Sequence, residues 1–355
     1  MTEISAGKFW GLRRLADDNG VFKIITADQR PAIKDIIANK RGVEVADFDD
    51  IVAVKRALVE ALAQQGSATV VDPHYGYPAA FDYLSPRRGL LISLEDSVFA
   101  ETPDGRLSKE IDDWSVEKIK RTGADGVKML NWFRPDANPN VLENQRALAK
   151  RVGEACAKFD IAFVQKVLVY SYPQGSDTGV DYFEHPEVAT QHVFETVEEF
   201  SKPDYGVDLP ILQSPVIPSL VPAPDEADPD AVATCQAHFD EMARIVGKPW
   251  IIASAGTDPD SFRHILHYAH AAGASGYLAG RATWWDIFTA FPNMPAMIHT
   301  LEMESAPFLA ELSALADEKA TPWQKHPFHA PDGPMLAGMK DQDFRSTYSE
   351  FEDEA

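Results

Sequence analysis

Eight short apolar runs recur along the chain, each followed by a stretch of mixed polarity. They are 21–27 (VFKIITA), 67–72 (SATVVD), 89–95 (GLLISLE), 126–132 (GVKMLNW), 161–170 (IAFVQKVLVY), 208–214 (DLPILQS), 250–255 (WIIASA) and 276–280 (GYLAG). The runs are nearly continuous in hydrophobicity rather than alternating. That is the pattern of parallel strands covered on both faces, since a strand with one wet face shows a period of two. Between them lie segments with helical starts and stops. Residues 47–66 open on acidic positions and close at Gly66, 112–123 stop at Gly123, and 257–273 place Pro259 after Asp258 and end at Gly273.

Alternation of strand and helix from end to end implies right-handed crossovers and a parallel sheet. Eight units without a break in composition predict a closed (β/α)8 TIM barrel of the α/β class, spanning 1–325 as one catalytic domain. From Trp284 onward the pattern is mostly helical. Residues 326–355 read as a polar C-terminal tail, either a frayed terminus or an arm packed on a neighbouring copy, which leaves a homo-oligomer open.

Charge narrows the function. A net charge of −22 excludes a non-specific nucleic-acid binder, which needs a basic surface. No apolar run has the length of a membrane span. The first twenty residues lack the basic-then-apolar plan of a secretory signal, and two distant cysteines, Cys156 and Cys235, suit a reducing compartment. The expected location is cytoplasmic. In so acidic a chain a site for an anionic metabolite has to gather its few cations, so a lysine or arginine inside a strand is informative.

The C-terminal ends of the strands, where this fold carries its chemistry, hold an unusually polar set. The first strand runs into Asp28, Gln29 and Arg30, the second into Asp72 and His74, and the third into Glu95 and Asp96. The fourth contains Lys128, the fifth Gln165, Lys166 and Tyr170, and the sixth Gln213 and Ser214. Strands seven and eight end in small residues, Ser254 to Gly256 and Gly280, followed by Arg281. Exposed backbone N–H groups and a forked cation at these two loops make a phosphate-like site. Each aspartate also has a plain reading as a helix cap, and each lysine as a side chain snorkelling past a helix edge. The histidines of 264–270 (HILHYAH) fall mainly opposite the apolar face of Phe262, Ile265, Leu266 and Ala269, and read as a solvated face rather than a metal site.

Five segments in order, 27–30 (ADQR), 72–79 (DPHYGYPA), 112–130 (DDWSVEKIKRTGADGVKML), 249–256 (PWIIASAG) and 278–285 (LAGRATWW), with 320–325 (ATPWQK), resemble the class I tagatose 1,6-bisphosphate aldolases and their sulfofructose phosphate aldolase relatives. The resemblance covers roughly 20–325. It implies a barrel that cleaves a ketose phosphate through a lysine Schiff base. Ser254, Gly256, Gly280 and Arg281 would hold the phosphate, and Asp28, Gln29 and Lys128 would face the sugar. The chain departs from this pattern at two places. The Schiff-base lysine of the sixth strand reads Ile211, with a nearby family glutamate reading Gln213, and a fifth-strand glutamate reads Lys166. One lysine is lost and another gained next door in place of an acid.

The expectation is therefore an aldolase acting on a phosphorylated or sulfonated ketose through Lys166, giving dihydroxyacetone phosphate and an aldehyde, with no metal and no cofactor. The attacking amine must be neutral, so its pKa has to fall from about 10 toward 7 or 8. Burial and Lys128 as a neighbouring cation would both push that way. The acid–base group is Glu95, Asp28 or Tyr170, and Arg30 and Gln213 are further substrate contacts. The alternatives are the same barrel without a Schiff base, as a divalent-metal lyase using Glu95, Asp96 and Asp72 or as a phosphosugar isomerase or epimerase, and a barrel that binds sugar phosphate without turnover.

Overall fold

The computed structural model describes residues 3–97, 100–102, 104–170, 186–225, 228–338 and 344–348. Eight parallel strands close a barrel in chain order: β1 (Phe22–Thr26), β2 (Ala68–Val71), β3 (Gly89–Ser93), β4 (Gly126–Trp132), β5 (Ala162–Leu168), β6 (Leu209–Leu212), β7 (Ile251–Ala253) and β8 (Gly276–Ala279). Each lies within one of the eight apolar runs. The (β/α)8 barrel expected from the pattern is the fold observed.

The continuous hydrophobicity has a double cause. Ile25, Val71, Ile92, Val127, Met129, Phe163, Val167, Leu212 and Tyr277 pack outward in one cluster with the helices. Ile24, Val70, Leu91, Ala162, Val164, Ile211, Ile251 and Leu278 form a second cluster inside the barrel. Leu12 and Leu15 of the helix Ala6–Leu15, together with Trp323, belong to the inner cluster. They close the N-terminal end, where Trp323 N–H donates to the Gly20 carbonyl just before β1. Above this plug the interior is apolar; the polar side chains begin at the other end.

The outer helices start where their caps dictate. Asp47 accepts from Asp49 N–H ahead of Phe48–Leu62, and Asp258 accepts from Ser261 N–H ahead of Pro259–Ala271. A short hairpin, Ala100–Thr102 with Gly105–Leu107, is inserted after β3. Nearby, Ile111 N–H donates to Leu94 O and Asp96 N–H to Lys109 O, which pins the segment that carries Glu95. The described part of the tail lies on its own chain. Met335–Leu336 pairs in parallel with Glu3–Ile4, and Tyr348 Oη donates to Asp160 Oδ2 at 2.6 Å; residues 339–343 and 349–355 lie outside the described residues. No helix among the described residues is long and apolar enough to cross a membrane.

Candidate active site

Val127 and Met129 belong to the outer cluster, so the alternation of β4 turns Lys128 into the barrel. There its ammonium lies 2.7 Å from Asp28 Oδ2 and 2.5 Å from Glu95 Oε1, with all three side chains buried. Asp28 also accepts from Ser93 Oγ at 2.7 Å and from Thr26 Oγ1. Burial works against the charge of Asp28, but Lys128 and these donors outweigh it and hold the carboxyl well below the usual carboxylate range. Burial likewise opposes the charge of Lys128, and the two carboxylates hold its pKa above the ordinary lysine value. The result is an ammonium clamped between two anions. Its charge is more than offset, so it does not act as the bare neighbouring cation that the sequence reading invoked for Lys166.

Lys166 projects inward by the same alternation: Ala162 and Val164 are interior, Phe163 and Val167 exterior. Its register partner on β6 is Ile211, and on β4 Leu130. The lysine gained and the lysine lost are therefore adjacent, side by side on the inner face, with Ile211 supplying an apolar wall. Lys166 is half-buried, unlike the buried Lys128. Gln213, just past the end of β6, accepts from Val169 N–H just past the end of β5 at 2.8 Å and so ties the two strand ends together. The Tyr170 hydroxyl accepts from Arg106 N–H at 3.0 Å, and the Arg106 guanidinium lies 5.1 Å from its ring. A Cβ at Gly105, whose φ is +134°, would fall 2.3 Å from the Tyr170 hydroxyl, so the hairpin requires glycine there.

At the ends of β7 and β8 the backbone forms a cradle. Ala255 and Gly256 are both left-handed, with φ of +47° and +86°, in a tight turn that Thr257 N–H closes by donating to the Ser254 carbonyl at 2.9 Å. A Cβ on Gly256 would come 2.5 Å from Arg281 Nη2, so the guanidinium lies directly over this turn. Gly280 N–H donates to Ser254 Oγ at 3.3 Å. A Cβ on Gly280 would meet Gln29 Nε2 at 3.0 Å, so the Gln29 amide reaches the same place. Ser254, Gly256, Gly280, Arg281 and Gln29 thus lie together at the ends of β7 and β8. Arg30 stands elsewhere: it is buried against β3, where Nη2 donates to the Glu95 carbonyl at 2.6 Å.

Residues 22–286 match the model of the DeoC/LacD family aldolases. The chain belongs to that family. Among relatives of this DeoC/LacD aldolase, the tagatose 1,6-diphosphate aldolase of Listeria innocua is 33% identical over 91% of this chain and 95% of that one. The tagatose 1,6-diphosphate aldolase of Streptococcus agalactiae is 32% identical over 77% and 83%. Solved structures share the fold at low identity. A Schiff base forming fructose-1,6-bisphosphate aldolase superposes with TM-score 0.52 at 16% identity, over 86% of this chain and 98% of that one. Fructose-bisphosphate aldolase from Plasmodium falciparum gives TM-score 0.65 at 11%, over 90% and 98%.

Three residues of the candidate site escaped the sequence reading. Thr26 and Ser93 are ordinary strand residues that carry no signal until they are seen donating to Asp28. Lys55 did leave a trace, as a charge on the stripe of Ile51, Leu58 and Leu62 that the helix buries. One reading needs correction: His270 is buried, not solvated, and burial pushes its imidazole down to about 4. It sits one helical turn beyond Leu266, on a helix that packs against Ala306–Lys319. Among the described residues no three His, Cys, Asp or Glu side chains gather to hold a metal. Asp72 turns its carboxylate to Lys55 and to the N–H groups of His74, Tyr75 and Gly76.

Proposed function

We propose that this aldolase cleaves a ketose phosphate through a Schiff base on Lys166, releasing dihydroxyacetone phosphate and an aldehyde. The observation that carries the reading is the pairing of Lys166 with Ile211 on adjacent strands, both facing the interior. An amine displaced by one strand still reaches the same cavity, because neighbouring strands are about 4.8 Å apart and a lysine side chain spans more than that. The Ser254–Gly256 turn with Gly280 and Arg281 would hold the terminal anion, phosphate or sulfonate, since both present three oxygens to the same donors.

The neutral Lys166 amine adds to the ketose carbonyl at C2, and loss of water gives the iminium. The C3–C4 bond then breaks and its electron pair flows into the iminium as an enamine, while the C4 hydroxyl proton passes to a base and the aldehyde leaves. Protonation of the enamine at C3 and hydrolysis return the lysine and free dihydroxyacetone phosphate. Of the three acid–base candidates, Asp28 is held too firmly as an anion to take a proton near neutral pH. The Tyr170 hydroxyl is bound by the hairpin backbone. Glu95 spends Oε1 on Lys128 while Oε2 is buried without a hydrogen-bond partner, which suits it to exchange a proton with substrate.

Borohydride reduction in the presence of dihydroxyacetone phosphate, read by intact mass and peptide mapping, tests the proposal. An adduct on Lys166 that is absent from Lys166→Met is the expected result. With a known Schiff-base aldolase trapped in parallel, no adduct on any lysine would sink it.

A further inference from the structure

The Lys55 side chain is fully buried, as is that of Asp72, and the two are 2.6 Å apart. An ammonium has three protons, and this one has three acceptors: Asp72 Oδ2, the Ala27 carbonyl at 2.7 Å and the Gln29 carbonyl at 2.6 Å. The two carbonyls belong to the residues on either side of Asp28. The remaining capacity of Asp72 goes to the loop after β2, accepting from His74 N–H at 3.0 Å, Tyr75 N–H at 2.9 Å and Gly76 N–H at 3.2 Å. One ammonium therefore joins two of the loops at the mouth of the barrel.

Stability alone is a weak reason for this arrangement. Apolar residues of matching volume in place of a buried ion pair are often neutral or stabilising. What a hydrogen-bonded charge supplies that a methionine cannot is direction. Gripping the carbonyls at 27 and 29 fixes the peptide plane entering Asp28 and the one leaving Gln29, and so brackets the two residues whose side chains face Lys128 and lie beside Gly280.

We propose that Lys55 is a positioning residue of the aldolase site, which holds the Asp28 carboxylate against Lys128 by gripping the Ala27 and Gln29 carbonyls that bracket it. The inference rests on Asp28 and Lys128 being groups of the active site, and does not depend on Lys166 being the nucleophile. Without the clamp Asp28 drifts from Lys128, the ammonium loses one of its two anions, and a larger fraction of Lys128 is neutral at a given pH.

The test needs no turnover. Full-length protein is labelled with trace acetic anhydride from pH 7 to 10, and the modification rate of Lys128 is read by peptide mass against the exposed Lys202. Lys55→Met should raise the Lys128 rate about tenfold, the change in neutral amine for one unit of pKa. Lys23→Met is the control. It removes another well-buried lysine, paired with Asp17 at 2.9 Å and Asp317 at 2.5 Å near the start of β1, and should leave the Lys128 rate unchanged. Should Lys55→Met fail to fold, Asp72→Asn keeps an acceptor for the loop N–H groups, removes the counter-charge, and should raise the rate by about threefold, half a unit of pKa. A folded Lys55→Met or Asp72→Asn whose Lys128 labels at the wild-type rate overturns the proposal, as does an equal rise in Lys23→Met. Failure of the borohydride trapping described above would instead strike the Schiff-base reading and leave this measurement standing.

Discussion

Replacing Lys128 by methionine isolates the electrostatics of the site, because the thioether chain fills much the same space without the charge. In the native protein the ammonium sits 2.7 Å from Asp28 and 2.5 Å from Glu95, with side-chain exposures of 5%, 7% and 5%. Removing one partner of such a buried group leaves uncompensated charge and costs about 3–5 kcal/mol. At roughly 1.3 °C per kcal/mol for a chain of this size, Tm should fall by roughly 4–7 °C at pH 8. The sign of the pH dependence follows from the carboxylates. Stripped of the cation, both are left buried beside a like charge, so their folded pKa values rise above the unfolded ones. Their penalty is then full above the raised pKa and shrinks as pH falls toward the ordinary carboxylate range. Calorimetry at pH 8 and pH 5 should therefore show the gap to wild type narrowing at pH 5. The double variant Lys128→Met with Asp28→Asn should recover part of the loss at pH 8, since only one carboxylate remains. A gap below about 1 kcal/mol, the ordinary value of an exposed pair, or one equal at the two pH values, would refute the picture of an ammonium clamped between two anions.

Other outcomes follow from the same geometry. Gly256→Ala, which needs φ of +86° and places a Cβ 2.5 Å from Arg281 Nη2, should displace the guanidinium and weaken binding of inorganic phosphate by about tenfold, as read by calorimetric titration, with the barrel otherwise intact. Transposing the two strands with Lys166→Glu and Ile211→Lys should move the borohydride adduct to position 211, because the two positions are register partners; a trapped adduct elsewhere would count against their equivalence. His270 is neutral when folded, with its imidazole near 4 against an ordinary 6.5. Its unfolded form takes a proton first as pH falls below about 6.5, so the chain should lose about 3 kcal/mol between pH 7 and pH 4 through this group alone. His270→Leu should flatten that slope in a chemical-denaturation series, and an unchanged slope would place the titration elsewhere.

Much of this protein follows from its sequence alone. Strands covered on both faces must be apolar on both, so the eight runs announce a parallel barrel without reference to any contact, and Asp47 and Asp258 cap their helices locally. The polar residues at the strand ends are legible for the same reason: the fold class says where chemistry gathers, and Asp28, Glu95, Lys128, Lys166 and Arg281 stand there. Only the tertiary structure decided what these groups do to one another. A run that is apolar throughout carries no alternation, so the sequence could not say that Lys128 and Lys166 face the interior. Asp28 and Glu95 meet Lys128 from positions 100 and 33 residues away, and no local pattern reports such an encounter. The same holds for Lys55, whose partners lie across a helix–strand interface, and for His270, which flanks the apolar stripe one turn beyond Leu266 and is buried on a helix that packs against an element arriving later in the chain. Local pattern reflects the two solvents a residue meets, water and core; the charge balance of the site depends on which side chains closure of the barrel brings within about 3 Å of one another.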